Sequence, residues 1–173
     1  DTTKLDVKPI WNFIGLEDAR IVKWLDKYLI CGVRRDTTTN GQGRMELSEI
    51  EIFEDKVNEI KRNRIEVPEK NSYCEKNWMP ILDKPFHFVR WVCPIDIMKV
   101  NLETNNSESI YYKEYKKDLE YTIRGGTPLI RWKDNQYLCI CHDVDFIAKN
   151  HINHKDSDYY HRFVIFNDDF TIC

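Results

Sequence analysis

Long apolar runs are missing from this sequence. None approaches the roughly 18 to 20 residues that a membrane-crossing helix needs, so no such helix is expected. The opening residues, DTTKLDVKPIW, lack the pattern of a secretory signal. An excess of one charge is missing too. The 26 Lys and Arg against 29 Asp and Glu leave a formal −3, which argues against a general affinity for nucleic acid or acidic membranes. Glycine and proline are scarce, six of each in 173 residues, so low-complexity linkers are absent and a single domain over 1–173 is expected. Six cysteines occur, but Cys31, Cys74, Cys93, Cys139, Cys141 and Cys173 follow no small disulfide scaffold. Four of them sit inside apolar strand-like runs, where cysteine behaves as a small buried hydrophobe. A reducing, cytoplasmic setting is expected, although Asn105-Asn106-Ser107 has the form of a glycosylation acceptor.

What is present is β-rich alternation. RIVKW and YLICGVRR are separated by Leu25-Asp26-Lys27, a hairpin-like connection. RMELSEIEIF follows a polar loop, and KVNEIKRNRIEVP reads as a fourth strand or a short helix. The pattern recurs from NWMPIL through FHFVRWVCP and IDIMKVNL to SIYYKEYKKDLEYTI, and again from TPLIRW through QYLCICHDVDF and YYHRFVIF to FTIC. Repeated four-stranded units of about 40 to 50 residues are the signature of a β-propeller. The expected fold is therefore all-β, with about three blades of four antiparallel strands. Propellers close with about four to eight blades, so the chain is expected to be part of a larger propeller, or to be completed by a second copy or another chain.

One cluster suggests metal. CICH and HINH bring Cys139, Cys141, His142, His151 and His154 close in sequence. Zinc sites favour Cys-x2-4-Cys and His-x3-5-His spacings, and in a strand Cys139 and Cys141 share one face while His142 points to the other. No metal site is expected.

GLEDARI, near the start, resembles the Gly-x-Glu-Asp-Pro-Arg-Ile motif of the β-mannoside phosphorylases of glycoside hydrolase family 130, which are five-bladed propellers. Gly15, Glu17, Asp18, Arg20 and Ile21 match, and Ala19 stands where proline is common. Later stretches match in the same order. EKNWMPI resembles the family's Lys/Arg-Asp-x-x-x-Phe-Pro segment, with Lys76 at the basic position and Asn77 replacing aspartate. FHFVRW places Arg90 on the family's arginine, with Trp91 instead of proline. RGGTPLIRWKDNQYLCICHDV looks like the Gly-x-Pro-Pro-Ile strand and the Tyr-His-Gly-Val strand end. There Gly126, Pro128, Ile130, His142 and Val144 fit, while Leu129, Cys141 and Asp143 depart. YYHRFVIFNDDF resembles a further strand, with Phe163 where glycine is usual.

The resemblance implies a carbohydrate-active enzyme that cleaves or forms a β-mannosidic bond with inversion, using phosphate. It makes Asp18 the general acid, delivering its proton through a sugar hydroxyl. It places Lys76, Arg90 and His142 on phosphate-holding positions, with Glu17, Arg20 and Asp143 beside the substrate. Arginine offers phosphate a bidentate fork, lysine a point charge, and histidine a donor or cation. No cofactor is implied beyond inorganic phosphate as co-substrate, and the implied partner is a mannoside or oligosaccharide. An inverting hydrolase would need a carboxylate base, for which Glu17 and Asp143 are the candidates. A mannosyltransferase and a non-catalytic propeller that binds glycan or protein are the alternatives. Arg90, inside a very apolar run, also suits a buried structural ion pair. Trp11, Trp78, Trp91 and Trp132 offer faces for stacking sugars or for packing between blades.

Overall fold

The computed structural model describes residues 8, 10, 14–38, 40–115, 123–146 and 157–172. Every regular element among them is a β-strand, as the alternation predicts, and no helix there is long and apolar enough to cross a membrane. Strands β1 (Leu16–Trp24), β2 (Lys27–Arg34), β3 (Arg44–Phe53) and β4 (Lys56–Arg64) form one antiparallel sheet in chain order. Strands β5 (Met79–Pro80), β6 (His87–Trp91), β7 (Ile95–Asn101) and β8 (Asn106–Lys113) form the second. Strands β9 (Ile130–Lys133), β10 (Gln136–Phe146) and β11 (Ser157–Asn167) form the third.

Of the two readings open for KVNEIKRNR, strand and short helix, the strand holds, as β4. One expectation changes. The third unit has three strands among the described residues. After the turn at Asp168–Phe170, where Phe170 has φ 62°, the returning chain makes only the Phe166–Ile172 bridge.

Alternation explains how the sheets stack. In the first sheet Val22, Trp24, Leu29, Cys31, Val33, Met45 and Leu47 point one way and meet Phe88, Met98 and Val100 of the second. The opposite face of that second sheet turns Val89, Ile95 and Ile97 towards Tyr137, Cys139, Cys141, Val164 and Phe166 of the third. The middle sheet is thus apolar on both faces because both are covered. Trp24 fixes the first interface, meeting Phe86 and Phe88 edge-on at centroid distances of 5.5 and 5.4 Å. Burial of each such side chain contributes about 1.5–3 kcal/mol. The β1–β2 hairpin closes through Leu25 and Asp26 alone, with φ of 50° and 62°. Both central residues are left-handed, as in a type I′ turn whose twist matches the strands.

The leading segments of the three sheets are tied to one another. The Trp24 indole N–H donates to Leu82 O at 3.1 Å. The Leu129 N–H donates to Pro80 O at 2.9 Å, and the Leu82 N–H to Leu129 O at 3.2 Å. Arg20 Nε donates to Gly126 O at 2.6 Å. The outward face of the third sheet remains open, with Ile130 and Trp132 exposed and Phe163 76% exposed.

Candidate functional site

The site begins with an irregularity in β1. The ladder with β2 runs Leu16–Arg34 and Glu17–Val33, then resumes at Arg20–Cys31, so Asp18 and Ala19 form a bulge. Asp18 there has φ 52°, a left-handed conformation that aspartate tolerates better than most residues. Bulges re-aim side chains, and this one leaves Asp18 exposed at the wall of a cleft. The entry to β1 is pinned by Asp36, whose Oδ2 accepts from the Gly15 N–H at 2.9 Å and whose Oδ1 accepts from Arg34 Nε at 2.5 Å. Burial pushes the Asp36 carboxyl up, but those donors and the Arg34 charge outweigh it and hold it below the usual carboxylate range.

Arg20 emerges after the bulge and binds backbone. Besides Gly126 O it donates through Nη1 to Asp18 O at 2.9 Å. It therefore pairs with the scaffold, clamping the bulge of the first sheet to the 124–126 segment ahead of the third. That segment runs along β10, with the Arg124 N–H donating to His142 O at 2.8 Å and the His142 N–H to Arg124 O at 3.0 Å. Its glycines are demanded by space. A Cβ on Gly125 would come within 2.0 Å of Asn77 O, and one on Gly126 within 2.3 Å of Ile140 O.

The resulting cleft, about 360 Å³, is lined by Asp18, Arg20, Lys76, Asn77, Arg124, Gly125, Gly126, His142, Tyr159 and His161. Four sequence-predicted residues thus converge: Asp18, Arg20, Lys76 and His142. Arg124 and His161 join them unpredicted. Among the lining residues Asp18 is the one carboxylate, facing five basic side chains. Burial pushes the His142 imidazole below its ordinary value, and the charges of Arg124, His161 and Arg20 add to this while Asp18 opposes it. His142 faces His161 across the β10–β11 ladder and lies 5.8 Å from the Tyr159 ring.

The other predicted residues lie elsewhere. Arg90 lines a neighbouring larger cavity, not this cleft. Its Nε and Nη2 donate to the two Glu75 oxygens at 2.9 and 2.8 Å, and Nη1 meets Asp96 at 3.2 Å and Glu69 at 2.9 Å. A phosphate there would sit beside three carboxylates, so the structural ion pair describes Arg90 better than anion binding does. Asp143 faces away from the cleft because adjacent strand residues point to opposite sides. It accepts from Arg162 Nε through Oδ2, and its buried Oδ1 has no partner among the described residues. Glu17 precedes the bulge and is not among the lining residues, and its buried Oε1 is likewise unpartnered there.

Trp78 is core, tilted against Phe88 and donating to Glu75 at 3.1 Å. Trp11, His151, His154 and Cys173 lie outside the described residues. Cys139 and Cys141 are buried with their Sγ atoms 3.7 Å apart, on the face opposite His142.

No protein-family model, curated protein or solved structure matches the chain.

Proposed function

We propose that the three sheets are blades of a propeller whose axial cleft cleaves or forms a β-mannosidic bond with inorganic phosphate. The observation that carries this reading is the convergence of Asp18, Lys76 and His142, far apart in sequence, in one cleft. The ties among the leading segments support a common axis, and the open outward face of the third sheet supports covering by a further sheet or a second copy.

In this reading Asp18 supplies the proton that lets the sugar alkoxide leave. A phosphate oxygen forms the new bond to the anomeric carbon from the opposite side as the glycosidic bond breaks, which inverts the configuration. Lys76, Arg124 and His142 neutralise the incoming anion. The charge ratio of the cleft favours phosphate over water, because hydrolysis by inversion needs a second carboxylate as base and Glu17 and Asp143 do not line the cleft.

His142 offers a test independent of turnover. A bound phosphate stabilises the imidazolium, so the midpoint of the His142 titration, followed by proton–nitrogen NMR, is expected to move up as inorganic phosphate is added. Phosphate affinity should correspondingly rise as pH falls through that midpoint. A His142 midpoint indifferent to saturating phosphate removes the anion site from this reading.

A further inference from the structure

Three sulfur atoms meet where the second sheet packs on the third. Cys139 and Cys141 lie two residues apart on β10, so their side chains share the face turned to the second sheet. Their Sγ atoms are 3.7 Å apart, and Cys141 Sγ lies 3.8 Å from the Met79 sulfur of β5. All three side chains are buried, and both cysteines are free thiols. Metal–thiolate bonds of about 2.3 Å set the sulfurs of a trigonal site about 4 Å apart. The two separations fall just short of that, so a small outward shift of the sulfurs admits an ion between them.

The donor set discriminates among ions. No group of three His, Cys, Asp or Glu side chains among the described residues is placed to hold a metal, and His142 points to the other face of β10. Zinc therefore lacks the four nitrogen, oxygen or thiolate ligands of its structural sites. Two thiols and a thioether suit a soft ion instead, above all Cu(I). The wall over the sulfurs is thin. A Cβ on Gly125 would lie 2.8 Å from Met79 Cγ, and Gly125 lines both the Asp18 cleft and the larger cavity of about 820 Å³ beside it. With no side chain at position 125, Met79 sits directly beneath that shared wall.

We propose that Met79, Cys139 and Cys141 form a Cu(I) site that ties the second sheet to the third. On binding, each thiol gives its proton to solvent and forms one Cu–S bond, and the Met79 sulfur donates a lone pair. Copper stays Cu(I) throughout. The hydrogen bond with Cys141 and burial push the Cys139 thiol up, so the ion displaces a proton there and its affinity rises with pH. The site does not depend on the activity proposed for the Asp18 cleft.

Anaerobic titration with Cu(I) against a chromophoric chelator tests this, with X-ray absorption on the loaded protein. The parent is expected to take one Cu(I) per chain, bound by sulfur alone, and to unfold at a higher temperature when loaded. Cys141→Ala should lose the ion, and Met79→Leu should hold it at least about tenfold more weakly. The double variant Cys74→Ala/Cys93→Ala should keep it unchanged. Leucine conserves the volume of methionine, so Met79→Leu keeps the packing of the interface. Failure of the parent to retain Cu(I) against the chelator, nitrogen or oxygen ligands in its absorption spectrum, or an affinity indifferent to Met79→Leu overturns the inference.

Discussion

Asp18→Asn is expected to lower β-mannoside turnover by at least about a hundredfold while glycan binding and the unfolding midpoint stay unchanged. The substitution is unusually clean at this position. Asparagine is nearly isosteric with aspartate and is at home in the left-handed region, so the φ of 52° in the bulge carries no new penalty. The side chain is exposed at the cleft, so no buried partner is lost. The Arg20 bond runs to the Asp18 carbonyl, which the substitution leaves in place. What disappears is the acidic proton. Steady-state kinetics with a β-mannoside and phosphate, paired with calorimetric binding, check this. Undiminished turnover in Asp18→Asn would make the bulge a structural feature only.

The second large effect concerns stability. Arg90→Met should destabilise the fold by about 3–5 kcal/mol. Methionine keeps much of the arginine stem, so packing changes little and the loss reports on charge. It strands Glu75, only 1% exposed, and Asp96, 3% exposed, without their cation. Adding Glu75→Gln should recover part of the loss, because the two residues are directly bonded and their effects are not additive. Urea unfolding of the parent, both single variants and the double measures this, and a loss under about 1 kcal/mol in Arg90→Met would contradict a buried ion cluster.

The pH dependence follows from the same cluster. Burial raises the Glu75 carboxyl, but hydrogen bonds from Arg90, Ser72 and Trp78 and the Arg90 charge outweigh it, so the folded-state value lies below the ordinary 4.5. A depressed carboxylate stabilises the fold above its unfolded value and loses that contribution as pH falls through the folded one. The advantage of the parent over Glu75→Gln should therefore be full above about pH 4.5 and shrink below it.

Much of the fold was legible in alternation. Val22 and Trp24, then Leu29, Cys31 and Val33, already lie at period-two positions and all face the second sheet. The turn between them was legible in length but not in chemistry, since Leu25 occupies a left-handed position usually taken by Asn or Gly. Within the site, the arginine in an apolar run announced its own ion pair. The single-face rule that separated His142 from Cys141 applies equally to Asp143, and it would have removed Asp143 from the cleft. Arg124 carried a weak signal, the following Gly125-Gly126, which marks close backbone approach. His161 carried none. It meets His142 only through the β10–β11 register, which depends on the length of the connection between the strands and on their packing.

Phosphorolysis at the Asp18 cleft is decided by the fate of a β-mannoside incubated with the protein, with and without inorganic phosphate, followed by phosphorus and proton NMR. Cleavage is expected only when phosphate is present, with α-mannose 1-phosphate, the inverted anomer, as the sugar product. Equal cleavage without phosphate to give free mannose, or no cleavage with it, would rule phosphorolysis out.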